Sequence, residues 1–412
     1  MMTFKELQLH KTILRAIAEK GYDSPTPVQI KAIPVVLENL DLICSAQTGT
    51  GKTASFALPI LQKLLKNQDA SKRRKIIRAL IITPTRELAN QINEDFKSYA
   101  TYTNLRSMVI YGGTAMDPQI DVLRKGVDVL IATPGRLLDL YKREKLNLDH
   151  IETLVLDEAD LMLDMGFIAD VNKIVKICPA QKQILLFSAT MPQKIVDLTN
   201  SVLIDPITIR ISATSSASKN VNQLLYYVPK PKKLELCLHL LRNTVKGTVL
   251  IFRRTKFGVD KLEKSLKRNG YKVVSFHGDK TQNVRNEALA KFKNKEVTIL
   301  IATDVASRGI DIDSLDAVIN FDLPNIPETY IHRIGRTGRA GKKGNSYSFC
   351  ARDEKSYVKS IQKLLNKAIP VETNHPYPLE AKPDDKPKKR SGSRHKKGRK
   401  STASKKKKKR WY

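Results

Sequence analysis

Ala46-Gln47-Thr48-Gly49-Thr50-Gly51-Lys52-Thr53 follows the apolar run Leu42-Ile43-Cys44. The pattern is Gly-x-x-x-x-Gly-Lys-Thr, with Ala46 in the first glycine position. An apolar run ending this way reads as a strand that turns into a helix. Glycines at 49 and 51 let backbone N–H groups curl round an anion. The start of the helix adds partial positive charge, Lys52 adds a full one, and the Thr53 hydroxyl can hold Mg²⁺.

Moving outward, helical patterns alternate with short apolar runs at Ala79–Ile82, Met108–Ile110, Val127–Ile131, Leu154–Leu156 and Ile184–Phe187. Most carry no polar alternation, the signature of strands buried on both faces of a parallel sheet. Each run ends in a polar stretch: Pro84–Leu88, Gly112-Gly113, Thr133–Arg136, Asp157-Glu158-Ala159-Asp160 and Ser188–Thr190. Sites in open α/β sheets form at the carboxyl ends of the strands, so these stretches are expected to converge on one edge. Upstream, Phe4 to Lys20 has helical periodicity and stops at Gly21. Two prolines, Pro25 and Pro27, then fix a turn, and a second helix begins near Thr26. Gln29 in its first turn carries the donors and acceptor that reading an adenine edge needs.

From Arg210 to Asn220 the chain is rich in Ser, Ala, Thr, Lys and Asn and has no periodicity, as an interdomain linker would. A second set of runs follows at Val249–Phe252, Lys272–Phe276, Thr298–Ala302, Ala317–Asn320 and Ser346–Phe349, between helical stretches such as Val259–Arg268 and Asn286–Lys293. This is a second α/β domain without a phosphate loop. Beyond about Pro370 the apolar runs stop, and Ala381–Arg410 is too charged to fold alone. The expected division is residues 1–209, a linker at 210–220, a second domain at 221–370 and a disordered basic tail at 371–412.

The 412 residues hold 73 Lys and Arg against 41 Asp and Glu, a formal charge of +32. Ala381–Tyr412 carries 16 of the cations against Asp384 and Asp385, hence +14, and the body keeps +18. A basic body as well as a basic tail favours nucleic acid along more than one surface. No apolar run approaches the roughly 20 residues of a membrane span, and the start lacks a signal peptide. A cytoplasmic protein is expected, with Cys44, Cys178, Cys237 and Cys350 reduced and buried.

The chemistry follows from the strand ends. Asp157 suits a Mg²⁺ ion and Glu158 an attacking water. Arg336 and Arg339, in a Gly-rich turn of the second domain, suit charge developing on a γ-phosphate. His332 beside them is expected at the domain interface. Arg86, Gly113, Arg136, Arg254, Gln282, Arg285 and Arg308 offer phosphate contacts along both domains. Aromatics make up 6% of the chain, and few occupy these loops, which favours backbone recognition over base stacking.

The ordered set of motifs resembles the DEAD-box ATP-dependent RNA helicases of superfamily 2, from Phe4 to about Lys367, and within them the bacterial RhlE-like group. The motifs are Gly21–Gln29 with Phe4 upstream, Ala46–Thr53, Pro84–Leu88, Gly112-Gly113, Thr133–Arg136, Asp157–Asp160, Ser188–Thr190, Phe252–Thr255, Gln282-x-x-Arg285, Thr303–Asp311 and His332–Arg339. The resemblance implies two tandem RecA-like doubly wound parallel-sheet domains. It implies that Phe4, Tyr22 and Gln29 recognise adenine, and that Ala46, Thr48, Gly49, Thr50, Gly51, Lys52 and Thr53 hold the phosphates. Asp157 and Glu158 would serve Mg²⁺ and water, with Thr53 also at the metal. Asp160 and Ser188–Thr190 would couple the site to closure, and Asp311 would approach the ribose. Arg336 and Arg339 would be arginine fingers. Arg86, Gly113, Thr133, Arg136, Gln282, Arg285, Thr303 and Arg308 would form the RNA track. Arg253-Arg254 departs from the family's apolar-then-Asn pattern.

The implied activity is RNA-stimulated ATP hydrolysis with local, non-processive unwinding of short duplexes or ribonucleoprotein remodelling. The implied protein is a monomer whose partners are RNA and ribosomal or ribonucleoprotein particles. The alternative is an RNA clamp or annealing chaperone acting through the basic tail.

Overall fold

The computed structural model describes residues 2–46, 49–66, 76–211, 220–307, 312, 315–338 and 343–380. The expectations for Thr48, Arg308, Asp311, Arg339, most of the linker and the tail from Ala381 lie outside the described residues.

The first lobe is built on a sheet whose strands are β1 (Leu42–Ser45), β2 (Ala79–Ile82), β3 (Ser107–Ile110), β4 (Val129–Ala132), β5 (Thr153–Leu156), β6 (Gln183–Ser188) and β7 (Ile207–Arg210). Their order is β3-β4-β2-β5-β6-β1-β7, and every pairing is parallel. Side chains alternate faces along a strand, so each apolar run feeds two cores. Ala79 and Ile81 of β2 join Val129, Ile131, Val155, Leu185 and Phe187 beneath the helices Pro27–Leu37, Lys52–Lys66 and Arg86–Tyr99. Leu80 and Ile82 join Leu130, Leu154, Leu156 and Leu186 on the opposite face. Each of the Val, Leu, Ile and Phe side chains contributes about 1.5–3 kcal/mol by leaving water.

The second lobe repeats the plan. Its strands are β8 (Val221–Tyr227), β9 (Val249–Phe252), β10 (Val273–Phe276), β11 (Ile299–Ala302), β12 (Ala317–Asn320) and β13 (Gly344–Cys350), in the order β10-β11-β9-β12-β13-β8 and again all parallel. All four cysteines are buried and free. Burial pushes the Cys44 thiol up to about 11, which keeps it protonated near neutrality.

Three boundaries differ from the sequence expectation. The Phe4–Lys20 helix is broken: a single turn at Phe4–Leu7 ends on Gln8 at φ 54°, and a new helix starts at Lys11 with His10 as its cap. The apolar spacing spans the break because both pieces pack on the same core. At the linker, Arg210 still belongs to β7, and Ile211 donates to the Ser45 carbonyl. At the far end, residues 371–378, expected in the tail, lie against the second lobe. Leu225 donates to the Pro370 carbonyl, Glu372 donates to the Leu225 carbonyl, and His375 meets the Tyr226 ring edge-on at 5.5 Å. This compact unit ends at Pro378.

Candidate functional site

Because β5, β6 and β1 are neighbours, their carboxyl ends set Asp157-Glu158, Ser188–Thr190 and the phosphate loop side by side. Ala46 continues β1 and donates to the Ser188 carbonyl at 3.1 Å. Gly49 and Gly51 have φ of 81° and 87°, the left-handed backbone that glycine adopts without steric cost. At Gly51 the approach is also close: a Cβ there would sit 2.4 Å from Gln29 Nε2.

Gln29 ties the adjacent helix to this loop. Its Oε1 accepts from the Thr26 N–H at 2.9 Å, and its Nε2 donates to the Gly51 carbonyl at 3.2 Å. One amide N–H remains uncommitted to these contacts. The resulting pocket has a volume of about 520 Å³ and is walled by Phe4, Tyr22 and Gln29 at one end and by Lys52, Thr53, Asp157 and Glu158 at the other. Phe4 is buried in the core, whereas Tyr22 is 39% exposed.

Charge is concentrated at the second end. Lys52 Nζ donates to Glu158 Oε1 at 2.8 Å, with both side chains buried. Burial alone would push the Lys52 ammonium down, but Glu158 and Asp157 outweigh it and hold it above its ordinary range. Burial pushes the Asp157 carboxyl up to about 7; Lys52 opposes the rise and Glu158 adds to it. Asp157, which lines the pocket, has its Oδ1 buried without a hydrogen-bond partner, an orphaned acceptor. Glu158 has φ 53° and caps the helix Ala159–Asp164. A non-glycine residue in that conformation costs of order 1–3 kcal/mol and is typical of sites where geometry matters more than stability.

Asp160 turns toward β6. Its Oδ2 accepts from the Thr190 N–H and Oγ1, both at 2.9 Å, and the Ser188 hydroxyl donates to the Thr190 carbonyl at 2.6 Å. Burial would raise the Asp160 carboxyl, but the charges of His332 and Lys52 and the hydroxyls of Thr190 and Ser188 hold it below its ordinary value. His332 belongs to the second lobe, so this interaction with Asp160 crosses the boundary. Arg336 reaches the same place and lines the pocket from the second lobe while buried. Its turn is held by Arg333, whose guanidinium clamps both Asp304 carboxylate oxygens at 2.5 and 2.7 Å and donates to Asn320 Oδ1 at 3.0 Å.

A second groove, of about 980 Å³, runs between the lobes. Arg86, Thr133 and Arg136 line it from the first lobe, and Arg254, Arg285 and Thr303 from the second. Gly113 packs so closely on Arg86 that a Cβ would meet its Nη2 at 2.1 Å. Arg136 Nη2 donates to the Thr114 carbonyl at 3.0 Å.

Gln282 and Arg285 each commit a donor to a carboxylate of the first lobe. Gln282 Nε2 and Arg285 Nη2 both donate to the Glu87 carboxylate, at 3.0 and 2.7 Å, and Arg86 Nη1 donates to Gln282 Oε1 at 3.3 Å. Glu87 thus ties the two lobes together, a contact to which the sequence reading assigned no residue. Its signal was a lone carboxylate in a stretch otherwise suited to phosphate. Arg253 and Arg254 have partners within their lobe: Arg253 pairs with Asp322 at 2.9 Å over the Phe321 ring, and Arg254 pairs with Glu354 at 3.2 Å beside Tyr357.

This geometry agrees with what the chain is similar to. The DEAD/DEAH box helicase model matches residues 26–198, and the helicase conserved C-terminal domain model matches residues 232–341. The ATP-dependent RNA helicase CshA of Limosilactobacillus reuteri is 44% identical over 88% of this chain and 72% of its own length. Among solved structures, the DEAD-box helicase Mss116 bound to single-stranded RNA and UDP-BeF is 30% identical with a TM-score of 0.82, over 93% of this chain and 81% of that one. S. cerevisiae Dbp5 bound to RNA and ADP BeF3 is 29% identical with a TM-score of 0.77, over 89% and 95%. The two sheets are therefore the tandem RecA-like lobes of that architecture, and the chain belongs to the DEAD-box ATP-dependent RNA helicases.

Proposed function

We propose that the chain couples RNA-stimulated ATP hydrolysis to the local, non-processive separation of short RNA duplexes or to ribonucleoprotein remodelling. The observation that carries the reading is that Arg336 of one lobe lines the same pocket as Lys52, Asp157 and Glu158 of the other. Hydrolysis then requires the lobes to be together, and the groove shared by both makes an RNA strand the agent that holds them.

In this reading Phe4 and Tyr22 flank adenine, and Gln29 offers it the remaining amide N–H. Gly49, Gly51, Lys52 and Thr53 hold the phosphates. Lys52 exchanges Glu158 for a phosphate oxygen, and the released carboxylate takes the attacking water. The water oxygen bonds to the γ-phosphorus as the bond to the ADP oxygen breaks, and its proton passes to Glu158 and then to solvent. Arg336 offsets the charge that develops on the γ-phosphoryl oxygens. The orphaned Asp157 Oδ1 and the Thr53 hydroxyl in the same pocket suit Mg²⁺. Mg²⁺ there would neutralise phosphate charge.

Arg86, Gly113, Thr133, Arg136 and Thr303 face the RNA backbone. Gln282 and Arg285 act on RNA binding through Glu87, by holding the groove closed. Ribosomal or ribonucleoprotein particles as partners belong to the same proposal, supported by the surplus of positive charge, and a monomeric state and a cytoplasmic location are proposed with them. Among the described residues no helix is long and apolar enough to cross a membrane.

The test is steady-state ATPase of the full chain and of Glu158→Gln, with and without single-stranded RNA. Loss of a general base predicts a fall of about a hundredfold or more in the stimulated rate. A fully active variant, or an intact protein indifferent to RNA, refutes the reading.

A further inference from the structure

The helix Lys256–Arg268 begins at the interlobe groove, where the Thr255 hydroxyl accepts from the Gly258 N–H at 3.0 Å and fixes the first turn. That turn sets Phe257 into the groove wall with 78% of its surface exposed, more than any other large apolar side chain among the described residues. A phenylalanine left in water forgoes the burial that stabilises every other phenylalanine in the lobe. Phe276, Phe292, Phe321 and Phe349 are all at most 5% exposed. Val305, 49% exposed, lines the same groove from the second lobe, and Met165 and Phe167 line it from the first. The apolar surface lies among cations, with Arg254, Lys256 and Arg136 along the groove.

The occupant of such a wall must be flat and apolar in one part and anionic in another. A nucleotide within a strand has that form: its base can lie on a ring while its phosphates meet the guanidinium and ammonium groups. We propose that Phe257 is a stacking platform for one base of the bound RNA strand, and that it gives the groove a preference for a purine at that nucleotide. This rests on the RNA reading given above and adds to it a contact that recognises a base where the other groove residues offer backbone contacts. The preference follows from area, since a purine covers more of a phenyl ring than a pyrimidine does.

The experiment uses the full chain with a non-hydrolysable ATP analogue and a series of oligouridylates of about ten nucleotides, each with one 2-aminopurine. Quenching at one position, lost in Phe257→Ala and kept in Phe257→Trp, is the expected signature of stacking. The RNA concentration for half-maximal ATPase should rise about five- to a hundredfold in Phe257→Ala, with a smaller change in the rate at saturating RNA. The ring is exposed, so its removal leaves the core packed, and rescue by Trp separates stacking from a structural role. Uniform quenching along the strand with an unchanged half-saturation, in a protein that RNA still stimulates, overturns the inference and leaves the helicase reading intact. Unchanged RNA affinity together with self-association that Phe257→Ala abolishes assigns the ring to a contact between copies and also overturns it. No stimulation of the intact protein by RNA strikes the underlying reading instead.

Discussion

Arg285 Nη2 lies 2.7 Å from Glu87 Oε2 across the boundary between the lobes, with side-chain exposures of 8% and 6%. Gln282 donates to the other oxygen of the same carboxylate. A buried pair costs desolvation that only good geometry repays, and removing one partner strands the other charge. The cluster therefore favours the closed arrangement only while it is complete. Arg285→Ala should raise the RNA and ATP concentrations needed for half-maximal hydrolysis together, since both ligands depend on closure. Breaking a buried pair costs about 3–5 kcal/mol, and opening of the lobes relieves part of it. Glu87→Arg combined with Arg285→Glu should recover part of the loss. A double-mutant cycle with no coupling beyond about 0.5 kcal/mol would show that the pair does not hold the lobes.

That pair also marks where the sequence stopped being legible. Central strands were readable because a run buried on both faces has no polar residue: β2 and β9 were bounded correctly from Ala79–Ile82 and Val249–Phe252 alone. The edge strands β7 and β8 escaped. In β7 only Ile209 is buried, and β8 carries Asn222 and Gln223. Both lie at a sheet edge beside water, which thins the apolar signal, whereas the edge strands β3 and β10 keep enough apolar residues to be read. The residues at the strand ends were legible for the same reason, since topology brings carboxyl ends to one edge whatever the loop lengths. Contacts between lobes are set by how two separate sheets dock, and no spacing within either encodes that. Glu87 belongs to this class.

Gly51 offers a test confined to one backbone position. Its φ of 87° disfavours any L side chain, and a Cβ would meet Gln29 Nε2 at 2.4 Å and Thr26 Oγ1 at 3.2 Å. Gly51→Ala should force the phosphate loop away from the Gln29 helix. Left-handed strain alone is worth about 1–2 kcal/mol, which predicts at least about a fivefold loss in affinity for a fluorescent ATP analogue. Titration of the variant with that analogue checks it, and wild-type affinity would mean that the loop takes up its binding shape independently of Gln29.

Lys63 sets a pH dependence of stability remote from the site. Its Nζ donates to Gln183 Oε1 at 2.8 Å and to Thr153 Oγ1 at 3.3 Å. Burial pushes its pKa down to about 8; Glu152 opposes the fall and Arg78 adds to it. The folded value thus lies below the unfolded value of about 10.4. Between the two, the unfolded chain binds more protons, so stability rises with pH. The contribution is complete above the unfolded pKa and is lost as pH falls through the folded one. Because the side chain is only partly buried, screening reduces the effect to about 1–2 kcal/mol. Urea denaturation from pH 8 to 10.5 should show the intact protein gaining on Lys63→Met across that window. Parallel profiles for the two proteins would mean that Lys63 titrates alike in the folded and unfolded chains.

The basic C-terminal stretch separates the two activities that the charge balance supports. Residues 381–412 hold 16 Lys and Arg and carry +14 of the total +32. Each phosphate that a cation neutralises releases counterions, so log affinity falls with log salt by about 0.7 per contact on a single strand. Deleting 381–412 should raise the RNA concentration for half-maximal ATPase at low salt and flatten the salt dependence. The maximal rate should fall less, because the pocket formed by Lys52, Glu158 and Arg336 lies wholly in the remaining chain. Annealing of complementary RNA strands without ATP, measured in parallel, should disappear with the deletion if that stretch acts as a chaperone. An unchanged salt slope would mean that these cations do not meet RNA phosphates, and the body's +18 would have to account for the whole of the electrostatic affinity.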